Sequence, residues 1–248
     1  MSLMHFDLFL LIAQESRSGL PFNKEASFMT QLLRINSSSR LEGSHSAAVA
    51  DACEAEFRQK HPGCRVITRN VADGSIPLIA QKTIEGFYAP QDALTDDLKA
   101  ATVLSDELIA EIQGSEMLLL AVPIYNFSIP AALKAWIDQI SRIGHTFSMD
   151  ETGFKGLVKA RRAVIVCAYG AEGYLPEEPF AAANFLEPYL RFLLSFLGIK
   201  DIRFISVQGT TADPETVQAH IEAAKQECIL AVRSPTNMTV QTSEKTQV

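Results

Sequence analysis

Six consecutive apolar residues, Met117-Leu118-Leu119-Leu120-Ala121-Val122, run directly into Pro123 and then into Tyr125-Asn126-Phe127. No polar side chain interrupts the run, so a strand here has both faces covered, as in a parallel sheet. A buried helix could carry the same run. Its shortness decides for a strand, because Pro123 withdraws an amide hydrogen from the ladder just where the aromatic loop begins. Downstream, Ser128 can cap, Pro130 suits a first helical turn, and Leu133, Trp136, Ile137 and Ile140 recur at helical spacing. The segment 117–142 is thus a strand, a loop and a helix. Open α/β sheets take their ligands at the carboxyl ends of the strands, which makes residues 124–127 a candidate ligand loop.

Composition removes several classes of function. A chain of 248 residues with 47% hydrophobic content has room for one sizeable core. Its net charge of −7 comes with no run of Lys and Arg, so a nucleic acid would meet repulsion over most of the surface. Cys53, Cys64, Cys167 and Cys228 are scattered, with no C-x-x-C pair and no histidine at zinc-ligand spacing. They read as four separate thiols in a reducing, cytoplasmic setting, and no metal site is expected.

Residues 1–28 hold the apolar run Leu8-Phe9-Leu10-Leu11-Ile12-Ala13, which is too short to span a bilayer. Asp7 stands ahead of it where a signal peptide carries Lys or Arg, and Ser16-Arg17-Ser18 is a weak cleavage pattern. The segment reads as an extension ahead of a start at Met29; a helix packed on the domain is the reading left open. The domain proper is 29–232, and the polar residues 233–248 are expected to be a disordered tail.

Within the domain, strands are expected at 31–36, 64–71, 117–122, 163–168 and 202–207. Helices are expected at 47–60, 95–113, 130–142, 185–197 and 214–232, while 73–90 reads as a surface excursion and 144–156 as irregular. Alternating strands and helices imply right-handed crossovers and a five-stranded doubly wound parallel sheet of order 2-1-3-4-5. In that order strands one and three meet at the switch point, so the loops 37–46, 124–127 and 169–173 surround one crevice. The first is rich in serine and opens a helix, whose unpaired amides and neighbouring hydroxyls suit a phosphate; turn and cap roles account for serines equally well. Aromatic residues and glycines in the other two suit a flat ring. Together they outline a flavin mononucleotide site. Tyr125 and Phe127 could instead be core aromatics, and Asn126 a turn residue.

The segment S-S-S-R-L-E-G-S-H-S after the first strand, with P-I-Y-N-F-S-I-P-A-A-L-K-A-W-I-D-Q-I-S-R-I-G-H-T-F, resembles the FMN-dependent NADH:quinone reductase and azoreductase family, of flavodoxin-like fold. The resemblance covers roughly residues 29–232. It implies that Ser38, Ser44, His45 and Ser46 hold the phosphate and ribityl end, and that Ile124, Tyr125, Asn126 and Phe127 line the isoalloxazine, with the fourth loop, Ala168, Tyr169, Gly170 and Ala171, closing the site. It also implies NADH or NADPH as donor, a quinone or azo acceptor, a ping-pong scheme and a homodimer with the site at the subunit interface. Two positions depart from the pattern. The fourth loop reads Ala168-Tyr169-Gly170-Ala171 where relatives carry S-R-G-G, and Met149 stands where they carry a tyrosine. Two other functions compete: a flavodoxin-like electron carrier without its own NAD(P)H turnover, and a hydrolase that binds no flavin.

Overall fold

The sheet forms around the apolar strands. In a computed structural model, which describes residues 30–236 except residue 152, five parallel strands lie in the order β2-β1-β3-β6-β7. They are β1 (Gln31–Asn36), β2 (Arg65–Asn70), β3 (Met117–Pro123), β6 (Arg162–Ala168) and β7 (Asp201–Val207). Counting only these five in chain order, the order is 2-1-3-4-5, as expected. The helices are α1 (His45–Lys60), α2 (Gln81–Tyr88), α3 (Asp96–Gln113), α4 (Ala131–Ile140), α5 (Leu186–Phe196) and α6 (Pro214–Arg233). The expected extension 1–28 and all but the first few residues of the expected tail lie outside the described residues.

Both faces of β3 are consumed, which is why its sequence never alternates. Leu118, Leu120 and Val122 pack with Trp136, Ile137 and Leu190 on the side of α3, α4 and α5. Met117, Leu119 and Ala121 pack with Val49, Phe57 and Ile221 on the side of α1 and α6. Strand β6 divides likewise, with Ile165 on the first side and Val164 and Val166 on the second. At about 1.5–3 kcal/mol for each large apolar side chain buried, these two layers supply the main favourable term of folding.

Three expectations need correction. The excursion at 73–90 contains α2, whose Gly86 lies so close to α3 that an added methyl would meet Thr102 at 2.7 Å. The stretch 144–156 is not irregular: β4 (Phe147–Asp150) and β5 (Gly153–Gly156) form an antiparallel hairpin. Phe147 and Phe154 pack there on Phe196 of α5, with ring centroids 4.8 and 5.4 Å away. Nor are all four cysteines thiols. Cys53 of α1 and Cys228 of α6, both wholly buried, form a disulfide with Cα atoms 5.2 Å apart, while Cys64 and Cys167 are free. Sequence spacing could not show this pair, because 175 positions separate its members and only the packing of the two helices brings them together.

Candidate functional site

The crevice begins where the chain leaves β1. Ser37 gives both its amide and its hydroxyl to the carbonyl of Ala121 on β3, each at 3.0 Å, which lays the loop 37–44 across the switch point. Ser38 Oγ accepts from the Arg40 amide at 3.1 Å and so tightens the turn. Ser44 caps α1, accepting from the Ala47 amide, and its oxygen lies 3.2 Å from Ser46 Oγ. Ser46 is fully buried, and its hydroxyl is kept from being unpaired there by the bond to Ser44. The amides of His45 and Ser46 in the first turn of α1 have no hydrogen-bond partner among the described residues. Arg40 faces the same space, with no carboxylate partner among the described residues. Two free amides, buried hydroxyls, a helix N-terminus and a guanidinium make a site that favours an anion.

Against this stands the turn at 125–128. Tyr125 and Ser128 exchange backbone hydrogen bonds of 2.9 and 3.2 Å, and the two residues between them are both left-handed, Asn126 at φ 49° and Phe127 at φ 73°. Such two-residue turns favour Asn and Gly; for Phe the conformation is strained, and strain of this kind concentrates at functional sites. The turn leaves the Asn126 and Phe127 amides with no partner among the described residues. Tyr125 also reaches back to the first loop, its hydroxyl accepting from the Ser39 amide at 3.2 Å.

The third wall is the end of β6. Ala168 and Gly170 line the cleft, but the Tyr169 side chain turns into the core, where it is fully buried and its hydroxyl donates to Glu187 at 2.8 Å. Burial, then the neighbouring Cys167 and Glu187, push the phenol well above its usual pKa, and burial does the same to the Cys167 thiol. Gly173, at φ 99°, is closely covered by the Phe180 ring. The space that glycines were expected to leave for a flat ligand is thus taken there by the protein itself.

One cleft of about 170 Å³ gathers Ser38, Ser44, His45, Ser46, Ile124, Tyr125, Ala168 and Gly170. Asn126 lies across the turn in a neighbouring hollow with Lys134 and Tyr189. Phe127 is half-exposed at the rim. Ala171 is not in the cleft; its carbonyl accepts from the Gly209 amide. Sequence reasoning missed Arg40, Thr210 and Thr211, which also line the cleft. Thr211 donates its hydroxyl to the Gly170 carbonyl at 2.8 Å and Thr210 donates to the Tyr169 carbonyl at 3.1 Å. The signal was available: a Thr pair following the last strand sits at the same carboxyl end as the other loops. The cleft is smaller than a typical ligand pocket of roughly 300–1,000 Å³. A nucleotide-sized ligand would therefore seat its phosphate end inside and continue over the 125–128 turn. No group of three or more His, Cys, Asp or Glu side chains suits a metal, and no helix is long and apolar enough to cross a membrane, among the described residues.

Comparison with known proteins gives a consistent picture. Residues 30–230 match the model of a family described as having a flavodoxin-like fold. The chain is 45% identical over 174 residues to the FMN-dependent NADH:quinone oxidoreductase of Xanthobacter autotrophicus, covering 70% of this chain and 84% of the relative. It is 39% identical over 191 residues to FMN-dependent NADH:quinone oxidoreductase 1 of Hahella chejuensis, covering 77% and 91%. Among solved structures it superposes on an FMN-dependent NADH-azoreductase from Bacillus anthracis in complex with FMN, with a TM-score of 0.72 and 24% identity, over 81% of this chain and 98% of that one.

Proposed function

The chain belongs to the flavodoxin-like family that includes the FMN-dependent NADH:quinone oxidoreductases, and from that premise we propose that it is itself an FMN-dependent oxidoreductase passing two electrons from NAD(P)H to quinones or azo compounds. One observation carries the reading: the free amides at the start of α1 line a cleft whose opposite wall is Tyr125, the first residue of the strained turn that carries the free Asn126 and Phe127 amides at its rim. These residues fit the cofactor. Ser38, Arg40, Ser44, His45 and Ser46 would hold its phosphate, and Ile124, Tyr125, Ala168 and Gly170 its middle. Asn126 and Phe127 would border the ring from the rim. A bound FMN would supply the two-electron redox chemistry that links a reduced nicotinamide to an acceptor. The protein's share is electrostatic and steric. The free Asn126 and Phe127 amides would stabilise negative charge on the bound ring without reorganising, while the Phe127 side chain would offer a flat acceptor a stacking surface.

Phe127, Met149, Phe154 and Phe180 are all more than half exposed, an amount of apolar surface that fits burial against a second copy. A homodimer is the assembly we propose, and the cytoplasm the compartment. There the Cys53–Cys228 bond, wholly buried, is shielded from thiol exchange by lack of access. A visible absorption spectrum of the purified protein should show bound flavin, and NADH varied at several fixed quinone concentrations should give parallel double-reciprocal lines, since one cleft serves donor and acceptor in turn. A colourless protein defeats the flavin reading. Bound flavin without NADH oxidation would make the chain an electron carrier, and intersecting lines would exclude the ping-pong order.

A further inference from the structure

Phe127 holds a left-handed conformation that is unfavourable for a bulky residue, so something must hold it there. Its carbonyl accepts a hydrogen bond of 3.0 Å from the amide of Phe185, at the entrance to α5. That amide is fixed in turn by Asn184, a buried side chain with both ends occupied. Asn184 Oδ1 accepts from the Leu186 and Glu187 amides at 3.2 Å each, capping α5. Asn184 Nδ2 donates to the Tyr174 carbonyl at 3.2 Å and to the Tyr169 hydroxyl at 3.3 Å. Tyr169 then donates to Glu187 at 2.8 Å and stacks on Tyr174, centroids 5.2 Å apart. The side chain that departs from the relatives' fourth-loop pattern has therefore left the cleft to brace α5.

We propose that Tyr169 and Asn184 are positioning residues which, through the Phe185 N–H, lock the Phe127 carbonyl and so keep the Asn126 and Phe127 amides turned outward as fixed donors to the cofactor. The proposal rests on the flavin reading above. Its consequence is thermodynamic. Fixed donors bind the electron-rich reduced cofactor more tightly than the oxidised one and so raise its reduction potential. With the lock gone, the peptides of the turn can rotate toward relaxed conformations and the preference for the reduced form falls.

The Phe185 position allows a clean test on the FMN-loaded protein. Phe185→Ala removes a ring that is 61% exposed and keeps the N–H; Phe185→Pro also removes the N–H. Asn184 at ψ 87° is outside the helical region disfavoured before a proline, and Phe185 at φ −89° is about 10° from the range that proline adopts, so the substitution asks only a small shift of the backbone. The midpoint potential of bound FMN should stay at the wild-type value in Phe185→Ala. In Phe185→Pro it should fall by the equivalent of a tenfold loss in relative affinity for the reduced form, about 30 mV for a two-electron couple. Tyr169→Phe should move it in the same direction. A wild-type potential in Phe185→Pro, or an equal fall in Phe185→Ala, overturns the proposal while leaving the functional reading intact; failure of the wild-type protein to bind FMN overturns both. Should Phe185→Pro fail to fold, hydrogen exchange at the Phe185 amide of cofactor-free Tyr169→Phe decides. Faster exchange than in wild type is expected, and unchanged protection refutes the lock.

Discussion

Ser44 and Ser46 show how closely structure and function share single residues. Ser44 caps α1 and touches Ser46, whose hydroxyl is fully buried. A hydrogen bond to a charged group contributes roughly 1.5–3 kcal/mol, so Ser44→Ala with Ser46→Ala should weaken FMN binding by about 100-fold or more. Loss of the cap costs roughly 1 kcal/mol of stability by itself, to be read separately from the urea midpoint. Unchanged FMN affinity in the double variant would remove the phosphate from this loop. At Asn126 the φ of 49° dictates the choice of substitution, because a leucine would strain the turn as well as delete the amide. Asn126→Gly keeps the backbone and removes only the side chain. If that amide contributes one hydrogen bond of about 1.4 kcal/mol in the transition state, flavin reduction should slow about 10-fold in stopped flow. An unaltered rate would mean that the Asn126 side chain shapes the turn and nothing more, its backbone amide being untouched by the substitution.

Elements were legible in the sequence where burial was two-sided or helical periodicity was long. β3 declared itself because both its faces are core, and α4 because Leu133, Trp136, Ile137 and Ile140 share one buried side. The hairpin β4–β5 was not legible: each strand has four residues, and its aromatics are paid for by Phe196, more than forty positions away. The inward turn of Tyr169 was equally hidden, since it depends on Asn184 and Glu187 meeting it from α5. The junction of β6, β7 and α6 carries its own prediction. Arg162 stands opposite Asp201 in register and binds it at 2.6 Å, both nearly buried, while also donating to the carbonyls of Ala231, Ser234 and Pro235 at the end of α6. Burial alone would raise the Asp201 pKa, but hydrogen bonds from Arg203 and Arg162 overcome it and hold the carboxyl below its usual range. Its stabilisation is therefore fully present above the unfolded pKa of about 3.9 and is lost as pH falls through the lower folded value. Asp201→Asn should cost about 3 kcal/mol at pH 7, because it strips the buried guanidinium of its counter-charge. The gap to wild type should narrow in acid. A gap that stays constant down to pH 2 in urea titrations would show that the charge of Asp201 contributes nothing.

At the scale of the whole molecule, α1 carries the phosphate end of the site and is anchored to α6 far from it. Beyond the Cys53–Cys228 bond, Arg233 makes a bidentate pair with Glu56 at 2.8 and 2.9 Å, and Lys60 donates to the Val232 carbonyl at 2.8 Å. These ties lie from the third turn of α1 onward, whereas Ser44 and Ser46 sit at its start, so the anchor bears on stability more than on the geometry of the cleft. The disulfide closes a loop across 175 positions, which in the chain-entropy account restricts the unfolded ensemble and should contribute about 5 kcal/mol. Urea unfolding of the oxidised protein and of the same protein held reduced should therefore give a higher midpoint for the former and a steeper denaturant dependence for the latter, whose unfolded chain exposes more surface. FMN affinity measured under native conditions should change little between the two states, because Val49, Ala50 and Phe57 of the folded α1 keep their apolar packing with Leu119 of β3 and with Val217 and Ile221 of α6 either way. Equal midpoints, with an intact mass heavier by two hydrogens before any reductant is added, would show that the sulfurs are not joined in the purified protein. A large fall in FMN affinity on reduction, with α1 still folded, would mean that the anchor does reach the site, and that the two ends of α1 are mechanically coupled.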